Sequence, residues 1–227
     1  MPLRAVLFDL DETLLDFGRS QRAALAAALR DLGLPFSTRR LRLFREINDR
    51  LWERYRQGAI GAAELAVERF SEFLEETGAD PRRALRLSRA FESELARTAH
   101  LHPGCRATLR ALSCRFRLGI VTNGLTRIQN GRLRVSGLRP FFDTVITSQA
   151  CGFAKPDPRI LGIALEELSV AAGEAVYVGD DVAVDHAAAR AAGVDFVWVD
   201  RGRPIPRGVR RPRPRVQHLR EVAALLI

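Results

Sequence analysis

Lysine is almost missing from this sequence: of 227 residues only Lys155 is one, so arginine supplies 35 of the 36 basic side chains. Set against 27 acidic residues, they leave a formal charge of +9. The arginines run along the whole chain with little aromatic interleaving. That is not the clustered footprint of a nucleic-acid surface, so nucleic acid is not expected as the main ligand. A favourable field for a small anionic substrate is what the charge does imply. The lone lysine also suggests a position that needs a compact point charge instead of a planar fork. Cysteine is scarce as well. Cys105, Cys114 and Cys151 are odd in number and show no metal-ligand spacing, which suits small buried or half-buried thiols in a reducing cytosol. No apolar run reaches the length of about 18 residues that a membrane-spanning helix needs, so no membrane partner is expected. The apolar stretch in MPLRAVLFDL is too short for a signal peptide and is interrupted by Asp9 and Asp11. A cytoplasmic protein, monomeric or a homodimer, is expected.

What is present is an ordinary globular balance, with 47% hydrophobic and 28% charged residues, enough for a sizeable core. The length fits one large domain or one domain carrying an insertion. Arg4 to Asp9 reads as a short buried strand ending in an acidic turn. From about 18 to 98 the periodicity is helical. Leu25, Ala28, Leu29 and Leu32 form one stripe; Leu41, Phe44, Ile47, Leu51, Trp52 and Tyr55 form a second. A third helix carries Leu65, Phe70, Phe73 and Leu74. Asp80-Pro81 supplies a cap and first-position proline for a fourth, with Leu85, Phe91 and Leu95 on its stripe. After Pro103-Gly104 the pattern becomes strand–helix alternation, with strands expected over 117–122, 144–147, 175–179 and 195–199 and a short last one near Val216. Alternation of this kind argues for a Rossmann-like α/β core, a doubly wound parallel sheet, with the helical block inserted after its first strand. The expected division is 1–16 with 100–227 as core and 17–99 as an all-helical domain. The Arg/Pro-rich stretch 201–215 reads as an exposed loop.

Ligands of such sheets bind beyond the carboxyl ends of the strands. Here those ends deliver Asp9 and Asp11; then Thr122, Asn123 and Gly124; then Gly179, Asp180 and Asp181, with Asp185 shortly after. Lys155 lies just before a helix, in Ala154-Lys155-Pro156-Asp157-Pro158. Each piece alone is an ordinary turn. Together, carboxylates, one ammonium and a hydroxyl suit a hard cation and a phosphoryl group.

The series Phe8-Asp9-Leu10-Asp11-Glu12-Thr13-Leu14, Val121-Thr122-Asn123-Gly124, Lys155-Pro156-Asp157-Pro158 and Val178-Gly179-Asp180-Asp181 with Asp185 resembles the four motifs of the haloacid dehalogenase superfamily. The likeness runs over nearly the whole chain, and the helical block matches the cap such proteins insert after the first motif. The stretch from Thr122 to Lys155 is most similar to the house-cleaning pyrimidine 5′-nucleotidases and the N-acylneuraminate-9-phosphatases. The resemblance implies a phosphatase acting on a small phosphorylated metabolite through an aspartyl-phosphate intermediate. Asp9 is then the nucleophile and Asp11 the acid that protonates the leaving oxygen and later activates water. The implied cofactor is Mg²⁺, held by Asp9, the Asp11 carbonyl and Asp180. Thr122 and amides near Asn123 hold the phosphoryl oxygens, and Lys155 neutralises nucleophile and transferring group. Thr13, Asp181 and Asp185 support, with Asp185 orienting Lys155 or a metal-bound water and Asp181 sharing that duty.

A halide leaves without a proton, so the acid at Asp11 favours phosphate over halide. The helical block contains no lysine, which argues against phosphonoacetaldehyde hydrolysis. A nucleoside monophosphate is the expected substrate, with Phe17, Asn48, Trp52 and Tyr55 as candidates to face its base. A sugar-phosphate or phosphoglycolate phosphatase, a phosphomutase and a catalytically idle binding protein are the alternatives. His100, His102, His186 and His218 are read as structural.

Overall fold

The computed structural model describes residues 2–203, 205, 208–209 and 211–227. The chain opens with β1 (Ala5–Phe8) and continues through helices α1 (Phe17–Asp31), α2 (Thr38–Arg56), α3 (Ala62–Glu76) and α4 (Ala84–Ala96). There follow α5 (Cys105–Ser113), β2 (Arg117–Thr122), α6 (Thr126–Val135), β3 (Thr144–Thr147), the single turn α7 (Ser148–Cys151) and α8 (Arg159–Leu168). The chain ends with β4 (Ala175–Gly179), α9 (Ala187–Ala192), β5 (Asp195–Val199), β6 (Arg215–Val216) and α10 (Leu219–Leu226). Two compact units result, Met1–Phe17 with Ala99–Ile227, and Gly18–Thr98. Among the described residues no helix is long and apolar enough to cross a membrane.

The first unit is built on a six-stranded sheet, ordered β3-β2-β1-β4-β5-β6. Every pairing in it is parallel. Central strands of such a sheet are covered on both faces, which explains why β1 reads Ala-Val-Leu-Phe with no polar alternation. Its side chains still alternate. Val6 and Phe8 pack in one core with Ile120, Val178 and Val197. Ala5 and Leu7 pack in the other with Val121, Tyr177, Phe196 and helix α8 residues such as Ile160 and Leu161. The strand order reverses at β1 and β4. Their carboxyl ends therefore open the crevice in which a doubly wound sheet binds its ligand.

The second unit is helical throughout. Phe44 stacks on Phe70 at 5.1 Å and meets Phe73 edge-on at 5.9 Å, with Phe91 at 5.3 Å, all four buried at its centre. Ser37 caps α2 by accepting from the Arg40 N–H at 3.2 Å. Asp80 caps a short 3₁₀ turn, Pro81–Arg83, that leads into α4. One sequence expectation fails here. Leu85 is 47% exposed, and the inner stripe of α4 is Ala84, Leu87, Phe91 and Leu95. Only that set keeps the three- and four-residue steps of a helix face.

Candidate functional site

Asp9 follows β1 directly, and its N–H donates to Val178 O at 2.9 Å, so the register of β1 on β4 fixes where it sits. Only 6% of its surface is exposed. The Lys155 ammonium reaches it from the loop before α8 and donates to Asp9 Oδ1 at 2.6 Å, Asp185 Oδ1 at 2.7 Å and the Tyr177 hydroxyl at 2.7 Å. Those three bonds use every N–H that an ammonium has. Tyr177 passes its own proton to Val121 O at 2.9 Å, tying β4 to β2 behind the lysine. Asn123 positions Lys155 from the other side. Its amide donates to Lys155 O at 2.9 Å and accepts from Lys155 N at 2.8 Å.

Asp180 ends β4, where Thr13 Oγ1 donates to its Oδ1 at 3.3 Å and Trp198 Nε1 to its carbonyl at 3.0 Å. Its Oδ2 is buried with no hydrogen-bond donor. Arg203 Nη1 stands 3.1 Å from that oxygen as an ion pair, but its hydrogen bond goes to Asp181 Oδ2 at 3.0 Å. Asp181 otherwise caps the wide helical turn Val182–His186, accepting from the Ala183 and Val184 amides at 2.9 and 3.1 Å. That turn brings Asp185 back under the site. A side chain at Gly179 would overlap the Asp185 carboxylate, so the glycine is what lets Asp185 lie there. Oxygens of Asp9, Asp180 and Asp185 all lie within 4.8 Å of one another. Burial pushes Asp9 up to about 7 against the pull of Lys155, with Asp185 and Asp11 adding to the rise. Burial, then Asp185 and Asp9, hold Asp180 well above the usual carboxylate range. Burial works against the Lys155 charge, but Asp185 and Asp9 outweigh it and hold the ammonium well above its ordinary value. An orphaned buried carboxylate oxygen in a cluster with excess acid is what a hard cation fits.

Asp11 is held separately, by α6. Gln129 Nε2 donates to its Oδ2 at 2.8 Å and Arg132 Nη1 donates to its Oδ1. Gln129 Nε2 also donates to Thr122 Oγ1 at 2.9 Å, which accepts from Gly124 N at 3.2 Å as well. With both lone pairs occupied, the Thr122 hydroxyl has a proton to give.

The structure thus gathers Asp9, Asp11, Thr13, Thr122, Asn123, Lys155, Asp180, Asp181 and Asp185 at one end of the sheet. Phe17 lies beneath the Arg132 guanidinium, 5.4 Å from ring centre to Cζ. The remaining candidates belong to the helical unit. Asn48 is buried there and accepts from Arg69 at 3.2 Å, while Trp52 and Tyr55 are half-buried and meet edge-on at 5.4 Å. Sequence reasoning missed Tyr177, Gln129, Arg132 and Trp198. The available signal was weak: polar residues three apart on the apolar face of α6, and aromatic hydroxyl and indole groups inside buried strands. It also missed Arg201, read as part of an exposed loop, which is half-buried and donates to Glu12 O at 3.0 Å and Thr13 O at 3.2 Å. Pro204, Pro206, Arg207 and Arg210 of that stretch lie outside the described residues.

This acid–lysine cluster lies at the switch point of a doubly wound sheet, where Rossmann-like α/β folds bind their ligands. Residues 3–193 match the haloacid dehalogenase-like hydrolases, and the chain belongs to that family. Pyrimidine 5′-nucleotidase YjjG of Escherichia coli is 30% identical, over 97% of this chain and 96% of its own, in keeping with the nucleotidase likeness of the sequence. Phosphoserine phosphatase of Thermus thermophilus is 36% identical over 97% and 98%. Among solved structures, HAD-hydrolase YfnB of Bacillus subtilis bound to magnesium superposes with a TM-score of 0.90 at 29% identity, covering 100% of this chain and 99% of that one.

Proposed function

We propose that this protein is a Mg²⁺-dependent phosphatase that hydrolyses a small phosphate monoester through an aspartyl-phosphate at Asp9. One observation carries the reading: a buried cluster of three carboxylates in which Asp9 and Asp185 share the Lys155 ammonium, while Asp180 beside them has one oxygen that accepts no hydrogen bond. Asp9, the Asp11 carbonyl and Asp180 would hold the metal. When bound, it supplies positive charge that offsets the phosphoryl oxygens and the excess acid.

The steps then follow from the chain's own groups. Lys155 occupies one Asp9 oxygen and the other attacks phosphorus. As the P–O bond to the leaving group breaks, Asp11 gives that oxygen its proton. Thr122 donates its free hydroxyl proton to a phosphoryl oxygen. Asp11, now ionised, takes a proton from water, which attacks the aspartyl-phosphate and releases inorganic phosphate and free Asp9. Tyr177 and Asp185 keep Lys155 aimed throughout. The helical insertion is assigned the role of cap, and substrate choice is assigned to its side chains, Trp52 and Tyr55 foremost.

A nucleoside 5′-monophosphate is the proposed substrate, supported by the likeness to YjjG, a pyrimidine 5′-nucleotidase. Phosphoserine is the second reading, favoured by the 36% identity to the Thermus enzyme over almost the full length of both chains. The deciding experiment is phosphate release, with Mg²⁺ and then with EDTA, across nucleoside monophosphates, phosphoserine, sugar phosphates, phosphoglycolate and p-nitrophenyl phosphate. Metal-dependent release strongest on the nucleotides is expected. A preference for phosphoserine replaces the substrate. No release from folded, metal-loaded protein turns the fold into a binding module.

Metal and protons should also compete. Asp9 is raised to about 7, so the folded state takes up its proton more readily than the unfolded chain does. Metal-free protein therefore gains stability as pH falls through about 7 and loses it as pH rises. The thermal midpoint gained on adding Mg²⁺ is expected to be large near pH 8 and to shrink towards about pH 5, as protons fill the sites the metal needs. A Mg²⁺ shift independent of pH would count against Asp9 as a ligand.

A further inference from the structure

Asp11 is the group on which proton transfer depends, and α6 holds both of its oxygens. Gln129 and Arg132 stand one turn apart, each fully buried. Gln129 cannot flip its amide freely. Its Oε1 accepts from Arg132 Nη1 at 3.1 Å, so reversal would set donor against donor. Locked this way, Nε2 reaches Asp11 Oδ2 at 2.8 Å and Thr122 Oγ1 at 2.9 Å together. Gly124 makes room for the arrangement, since a Cβ there would overlap the Gln129 side chain. The arrangement is costly in stability. Arg132 Nε and Nη2 are buried with no hydrogen-bond partner, a penalty that a methionine of similar length would avoid. Packing alone does not account for a guanidinium here, whereas its contacts with Asp11 and Gln129 do.

We infer that Gln129 and Arg132 are positioning residues. They fix the Asp11 carboxylate and the Thr122 hydroxyl in one orientation, so that proton delivery to the leaving oxygen and phosphoryl binding are set by a single buried pair. The inference rests on the phosphatase reading and deepens it.

The test is steady-state kinetics on an alkyl phosphate and on p-nitrophenyl phosphate, whose leaving group needs little protonation, with inorganic phosphate as inhibitor. Arg132→Met is expected to lower kcat on the alkyl ester by about 100-fold and on the aryl ester by less than about 5-fold, with phosphate inhibition weakened by about 3-fold as Gln129 loses its lock. Gln129→Leu should show the same split and also weaken phosphate inhibition by about 10-fold, since it releases Thr122. Arg132→Lys should recover most of the alkyl-ester rate, because both hydrogen bonds come from the one nitrogen Nη1. Combined with Asp11→Asn, Arg132→Met should add no further discrimination between the esters.

Equal losses on both esters, a lysine variant no better than methionine, or multiplying losses in the double variant would each overturn the inference. If Arg132→Met does not unfold cooperatively, Gln129→Leu and Arg132→Lys decide it. A wild-type protein that releases phosphate from neither ester defeats the phosphatase reading instead, so the two failures are separable.

Discussion

Asp9→Asn is expected to cut phosphate release by about four orders of magnitude or more while leaving the folded protein at least as stable as the wild type. The loss follows from chemistry: an amide oxygen does not form the acyl-phosphate that the two-step route requires. Retention of the fold follows from the packing. Asparagine has nearly the shape of aspartate, and its amide oxygen can still accept from Lys155, which keeps Asp185 and Tyr177 as partners. The variant also removes a charge that burial penalises, since Asp9 is raised to about 7. One further sign distinguishes this from a simple loss of function. The metal-free wild type should gain stability as pH falls from about 8 towards 5, because the folded state binds the Asp9 proton more tightly; the asparagine variant should lose the part of that slope that Asp9 supplies. Phosphate release near the wild-type rate would remove Asp9 as the nucleophile. An unfolded variant would show the carboxylate to be structural.

Much of this candidate site was legible in the sequence because most of the residues it gathers lie at strand ends. A strand end is marked by a change of composition, such as the step from Val6-Leu7-Phe8 to Asp9 or from Val178 to Gly179-Asp180, and the parallel fold brings such ends together. The same logic located the sheet strands, whose short apolar runs have one reading when helices alternate with them. What stayed hidden depends on which way a buried side chain points. Tyr177 lies in an apolar run, and nothing local says that its hydroxyl meets Lys155, 22 residues away in sequence. Gln129 and Arg132 look like ordinary polar residues of a helix until α6 is docked with them inward. Arg201 and Arg203 sit in a stretch whose composition predicts a loop, and their pairing with the Glu12–Thr13 carbonyls and with Asp180 and Asp181 is set by tertiary approach alone. Leu85 failed for a simpler reason, because an apolar residue one step off the helical period faces out.

The lone lysine yields the second large effect. Three acceptors converge on one nitrogen at Lys155, with Asp9, Asp185 and Tyr177 at 2.6, 2.7 and 2.7 Å. An ammonium sends three N–H groups outward from a single atom and can serve all of them. A guanidinium spreads its donors over a plane and three nitrogens and cannot. That is a physical reason for one lysine to stand in a chain that otherwise uses arginine. Lys155→Met should therefore destabilise the protein by about 3–5 kcal/mol, because it strands buried carboxylates without their cation. For a chain of this size the thermal midpoint should fall by about 10 °C. The deficit should be largest at high pH. Without the ammonium, Asp9 rises further above its unfolded value, so its penalty is full above the folded pKa and is relieved as pH falls. Mg²⁺ should restore part of the midpoint by supplying charge to the same cluster. Lys155→Arg should keep the charge yet recover little activity, with phosphate release still about 100-fold or more below wild type. Full activity in the arginine variant would show that charge alone suffices, and the convergent geometry around Nζ would then have no catalytic meaning.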